Sequence, residues 1–146
     1  MGGEREVSFE LEIPAKAEYV CVARLLAGSI ARQMGFKEES IEDLKIAVSE
    51  MCTNAIIHTG GGNGEKPPIS VRYLAGGDSL TVEVRDQGPG FDTGKVLGQE
   101  GTGLKGKGFG IPLIKSLVDE FRCESSPQSG TMVCITKFVR SGEQDD

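Results

Sequence analysis

The sequence predicts an α+β sandwich, a mixed sheet with helices packed on one of its faces. Two periodicities and their order predict it. Residues 7–13 and several later stretches alternate apolar and polar side chains, whereas residues 17–34 and 38–55 repeat their apolar side chains at helical spacing. In order the segments read strand, helix, helix, strand, strand, loop, helix, strand, strand.

Val-Ser-Phe-Glu-Leu-Glu-Ile, residues 7–13, has one apolar face and ends at Pro14, as a half-buried first strand should. From Ala17 to Met34 the period changes, with Tyr19, Ala23, Leu26, Ala27, Ile30 and Met34 on one stripe and Gly35 as the stop. A second helix is predicted to start near Glu38 or Glu39, where acidic residues suit the helix dipole, with Leu44, Ala47, Val48, Met51 and Ala55 as its stripe. Residues 58–68 have loop composition, and Pro67 and Pro68 exclude a strand before Ile69. Ile69 to Leu74 and Ser79 to Arg85 form a hairpin around Gly76-Gly77-Asp78. After a glycine-laden stretch without periodicity, from Asp92 to about Lys107, comes a helix with Ile111, Ile114, Leu117, Val118 and Phe121 on one face and Pro112 in its first turn. Strands around Arg122 to Ser125 and Thr131 to Val139 close the chain.

A length of 146 residues suits one domain, expected to span 1–146, with an acidic tail at 141–146 expected to be disordered. The chain carries 16 basic and 22 acidic side chains, a net charge of -6, which disfavours nucleic acid and anionic membranes and favours a protein partner. No apolar run reaches the ~18 residues of a membrane span and the first residues lack a secretory layout, so a cytoplasmic location is expected. Cys21, Cys52, Cys123 and Cys134 show neither a C-x-x-C pair nor ligand spacing with the single histidine, and are expected to be reduced thiols, mostly core-filling.

Three segments carry chemistry. Glu50 and Asn54 stand one turn apart on the same side of the second helix, beside its apolar stripe. A carboxylate there can take a proton from an attacking hydroxyl, and a carboxamide oxygen can hold Mg²⁺; an ordinary solvated flank has the same spacing. Asp86 shares a strand face with Leu80, Val82 and Val84 and is therefore predicted to be buried. Its charge then needs a cation, backbone donors or a ligand's amino group, and both an adenine N–H and a turn cap near Gly88 satisfy that need. Gly88 and Gly90 allow backbone to approach a flat ring. Gly106-Lys107-Gly108-Phe109-Gly110 leads into a helix N-terminus, where free N–H groups attract phosphate, although it does not match the Walker pattern. Lys105 and Lys107 can touch phosphate or simply face solvent. His58, one turn beyond Asn54, either caps its helix or stands near the phosphate end.

Glu50-x-x-x-Asn54, Asp86-x-Gly88-x-Gly90 and Gly106-x-Gly108-x-Gly110 resemble the N, G1 and G2 boxes of the GHKL ATPases, the superfamily of the Bergerat nucleotide-binding fold. Within it, Ile-Ala-Val-Ser-Glu-Met-Cys-Thr-Asn-Ala-Ile-Ile-His, residues 46–58, is similar to the bacterial anti-sigma factors that are also serine protein kinases. The likeness runs from Val7 to about Phe138. It implies a Bergerat-type two-layer sandwich using ATP and Mg²⁺, with Glu50 as general base, Asn54 on the metal and Asp86 reading the adenine amino group. The nucleotide-binding set it implies is Asn54, His58, Asp86, Gly88, Gly90, Gly106, Lys107, Gly108, Phe109, Gly110 and Thr131. Arg24 falls where the family has an arginine facing the protein substrate and the γ-phosphate, and the helical count expects it to be exposed. The implied partners are a sigma factor, a STAS-type anti-anti-sigma protein that accepts the phosphate, and a second copy of the chain. A non-catalytic ATP-sensing partner switch is the alternative, and a detached histidine-kinase ATP domain comes last.

Overall fold

The structure, a computed structural model, describes residues 6–59, 66–87, 110–126 and 130–140. Its elements are β1 (Val7–Ile13), a 3₁₀ turn (Ala17–Tyr19), α1 (Val20–Met34), α2 (Glu38–Thr59), β2 (Ile69–Gly76), β3 (Ser79–Asp86), α3 (Gly110–Leu117), β4 (Glu120–Ser126) and β5 (Gly130–Phe138). The strands form one five-stranded sheet in the order β1-β2-β3-β5-β4. The expected α+β sandwich is present, with a correction to its sheet. All four pairings among the described residues are antiparallel, so the sheet is not mixed. β3 and β4, joined through α3, do run the same way, but β5 inserts between them antiparallel to both.

The two faces of the sheet differ as its period-two alternation requires. Ile69, Val71, Tyr73, Leu80, Val82, Val84 and Ile135 point inward and are fully buried against the helices. Glu10, Arg72, Glu83, Arg85, Arg122 and Glu124 occupy the opposite face. α2 supplies the other half of the core with Leu44, Ala47, Val48, Met51 and Cys52, matching the predicted stripe plus one thiol. Small residues let α1 lie close to α2: Ala23, Ala27 and Ala31 are fully buried, and a Cβ added at Gly28 would stand 3.1 Å from Lys45 Cδ. The buried Tyr73 hydroxyl donates to Ala23 O at 2.8 Å, which ties α1 to the middle of the sheet.

Two helix boundaries differ from those expected. The segment predicted from Ala17 begins with a 3₁₀ turn, and the α-helix proper starts at Val20. The last helix stops at Leu117, so Val118 lies beyond it and Phe121 belongs to β4, opposite Ile135. The stop has visible causes. Lys137 Nζ donates to Leu117 O at 2.9 Å, Asp119 N–H donates to Thr136 O at 3.0 Å, and the Asp119 carboxylate accepts Phe138 N–H at 2.8 Å and pairs with Arg140. Asp119 thus delivers the chain to the edge of β5 before another turn can form. Among the described residues no helix is long and apolar enough to cross a membrane.

Candidate nucleotide site

β3 brings its last inward residue to the end of the sheet. Asp86 is only 3% exposed, as its strand period predicts. Thr131 of β5 stands directly opposite it and is equally buried, and Ser125 of β4 stands opposite Thr131 in turn. The three side chains form one row across three strands. Thr131 Oγ1 and Ser125 Oγ are 2.7 Å apart, a hydrogen bond in which either hydroxyl can donate. Gly130 opens β5 at φ +81, and a Cβ on it would lie 2.1 Å from Asp86 O. The close approach of β5 to the end of β3 therefore requires glycine.

α2 packs on β3 and against α3. Asn54 is 4% exposed, and its Oδ1 has no hydrogen-bond partner among the described residues. One turn earlier Glu50 is half-buried, and its Oε1 is likewise buried without a partner among them. A fully solvated flank would leave both groups in water, whereas Asn54 is buried and Glu50 has one oxygen withdrawn from solvent. An acceptor buried without a partner carries a desolvation cost of about 1–3 kcal/mol, and among the described residues nothing repays it for either oxygen. The Asn54 oxygen is a hard donor and fits Mg²⁺, which takes oxygen ligands and keeps several waters, while the Glu50 carboxylate one turn away suits a proton acceptor.

His58, in the last turn of α2, is half-buried. Burial pushes its pKa below the ordinary histidine value, while the Asp86 charge pulls it upward, so the imidazole lies within electrostatic range of the Asp86 end. Cys123, inward-facing on β4, feels the same carboxylate. Its thiol is pushed up to about 11, by burial first and then by Asp86 and Glu124. Gly110 begins α3 at φ +63 with Ile111 buried behind it, and Pro112 occupies the first turn as expected.

Of the residues singled out from sequence, Glu50, Asn54 and His58 share α2, while Asp86 and Thr131 face each other across the sheet. Arg24, on α1, is half-buried instead of exposed, and among the described residues no hydrogen bond or ion pair ties it to Glu50 or Asn54. The helical count located its direction but not the cover that a long arginine stem takes from its neighbours. Gly88, Gly90, Gly106, Lys107, Gly108 and Phe109 lie outside the described residues, as does the 141–146 tail. Sequence reasoning missed Ser125 and Gly130 as parts of the site. Gly130 carried a signal, a glycine directly before an apolar strand, whereas Ser125 becomes visible only through strand register.

The comparisons with known proteins show the family. Residues 13–137 match the family model described as a histidine kinase-like ATPase domain. The protein named serine-protein kinase RsbW in Oceanobacillus iheyensis is 38% identical over 144 residues, covering 93% of this chain and 89% of that one. Its namesake in Bacillus pumilus is 41% identical over 145 residues, with coverage of 93% and 88%. A crystal structure of the RsbU and RsbW domains of a Mycobacterium tuberculosis protein superposes with a TM-score of 0.67 at 20% identity, covering 92% of this chain and 33% of that one, a likeness of fold. With a family match over residues 13–137 and relatives near 40% identical across most of both chains, this chain belongs to the histidine kinase-like ATPase domain family.

Proposed function

We propose that the protein is an ATP-dependent serine/threonine protein kinase that also sequesters a sigma factor and phosphorylates an anti-anti-sigma protein of the STAS type. The observation that carries the reading is a pair of chemistries borne on two packed elements, β3 and α2. An inward-turned carboxylate, Asp86, lies at the end of β3, and α2, which packs on β3, carries two buried oxygens with no partner among the described residues, Glu50 Oε1 and Asn54 Oδ1. The name serine-protein kinase borne by relatives near 40% identity supports the same reading.

In this reading Asp86 accepts the exocyclic N–H of adenine, and Thr131 completes the base end. Asn54 Oδ1 holds the metal, and Mg²⁺ when bound supplies positive charge against the phosphates. The N-terminal turn of α3, opened by Gly110, turns its free N–H groups toward phosphate. Glu50 takes the proton from the serine hydroxyl of the protein substrate as its oxygen bonds to the γ-phosphorus. The bond from that phosphorus to the β–γ bridging oxygen breaks, and ADP leaves. Arg24 faces the incoming substrate and the γ-phosphate. The working unit is a homodimer, with the sigma factor and the STAS protein as alternative partners.

Incubation with γ-labelled ATP, Mg²⁺ and a STAS-domain partner should transfer label to the partner. Glu50→Gln should bind ATP normally and lose transfer by about 10²–10⁴-fold, the worth of a general base. Equal transfer by the variant would remove Glu50 from that role. Tight ATP binding by the wild type without any transfer would favour the non-catalytic sensor.

A further inference from the structure

We infer that Ser125 is a specificity-determining positioning residue: through its hydrogen bond to Thr131 it holds the Thr131 hydroxyl as a donor toward a ring-nitrogen acceptor of adenine. The inference rests on the nucleotide reading given above. A hydroxyl offers one donor and two acceptor lone pairs, so Thr131 by itself does not decide which it shows to a ligand. Its surroundings must decide. Thr131 is 3% exposed, and among the described residues its one side-chain partner is Ser125, at 2.7 Å. At that separation either hydroxyl can donate. If Ser125 donates, the Thr131 proton is free to point at the base; if Thr131 donates, only its lone pairs remain for the base.

The neighbouring carboxylate selects the ligand edge that Thr131 meets. Asp86, across from Thr131 on the other side, is acceptor-only when ionised. Adenine's Watson–Crick edge offers an amino donor beside a ring-nitrogen acceptor, and hypoxanthine offers the reverse, an oxo acceptor beside an N–H donor. Asp86 demands the first pattern at one position. A Thr131 hydroxyl fixed as donor demands the same pattern at the next, and the row Asp86, Thr131, Ser125 then reads adenine twice. Gly130 maintains the alignment, because no other residue lets β5 begin so close to the Asp86 carbonyl.

The test is calorimetric titration of the full chain with ATP, inosine triphosphate and purine riboside triphosphate, each with Mg²⁺. Purine riboside keeps the ring acceptor and lacks the amino group. Ser125→Ala should lose about fivefold in affinity for ATP and for purine riboside triphosphate, the worth of one net hydrogen bond, and leave inosine triphosphate unchanged. Ser125→Thr should restore the preference, and Ser125→Ala should cost nothing further in a Thr131→Val background. Should Ser125→Ala be too unstable to titrate, Ser125→Cys, which weakens the donor at similar volume, carries the same expectation. Equal loss for all three nucleotides, no loss for any, or additivity with Thr131→Val would overturn the role of Ser125 while leaving the site intact. A wild type that binds none of the three would remove the nucleotide reading itself, and this role with it.

Discussion

Replacing Gly130 by alanine should be far more damaging than the same change at Gly35, although both glycines have positive φ. At Gly35, φ +95, a new Cβ meets nothing within 4 Å, so the cost is backbone strain alone, about 1–2 kcal/mol. At Gly130, φ +81, the same strain applies, and the Cβ would also fall 2.1 Å from Asp86 O and 3.0 Å from Gln87 Cα. Those are backbone atoms, which cannot rotate away, so the end of β3 must shift at a further cost of about 1–3 kcal/mol. The total is about 2–5 kcal/mol, a large part of the roughly 5–15 kcal/mol that holds a domain folded. Urea unfolding should therefore show a lower midpoint for Gly130→Ala than for Gly35→Ala, with the slope unchanged in both. Because the displaced atoms include the Asp86 carbonyl, Gly130→Ala should also weaken ATP binding by on the order of tenfold, or about 1.4 kcal/mol. Gly35→Ala, at the far end of α1, should bind ATP as the wild type does. Equal urea midpoints, or undiminished ATP affinity in Gly130→Ala, would refute the account of that contact.

Two further outcomes follow from the buried charges. Burial holds the His58 pKa below its ordinary value, so the unfolded chain binds the proton first as the solution is acidified. Its contribution is intact above the unfolded value near ~6.5 and is lost as pH falls from there through the folded pKa. The wild type should thus lose more stability between about pH 7 and pH 5 than His58→Gln does, and parallel stability curves would contradict this. Lys137 donates to Leu117 O at 2.9 Å and stands 4.0 Å from Asp43, whose pKa burial raises and Lys137 opposes. Lys137→Met should cost about 1–3 kcal/mol, the penalty for a stranded carbonyl and a half-buried carboxylate. A raised pKa means stability lost as pH rises through it, so the penalty should be larger at pH 7 than near pH ~4, where Asp43 begins to take up a proton. An equal penalty at both values would leave the carbonyl as the whole effect.

Local periodicity was enough to place Asp86. Three apolar residues at spacing two put the fourth position of that face indoors, whatever the rest of the fold does. The same holds for Glu50 and Asn54, whose place beside the α2 stripe follows from helical geometry alone. What sequence could not supply was neighbourhood. The direction of β4 relative to its partner depends on which strand slides between it and β3, and no local pattern encodes that choice. Phe121 fits a helix stripe by count, yet the bonds of Asp119 to β5, made across the sheet, pull it into a strand. Ser125 was invisible for the same reason, since it acquires a role only opposite Thr131. Arg24 shows a different limit: a wheel gives the direction of a side chain, while its cover depends on where a flexible stem comes to rest.

The position of β5 has a consequence for assembly. In the proposed nucleotide reading the wall of the base pocket draws on residues 86, 125 and 131, and the central one arrives on β5, after the other described strands. A nascent chain can pair β1, β2 and β3 and dock α1 and α2, but it has no complete wall until β5 threads between β3 and β4. Nucleotide can then recognise only the finished sheet. Bound ligand should slow whole-molecule opening more than local fraying, and chains truncated before Gly130 should gain no protection from it against proteolysis.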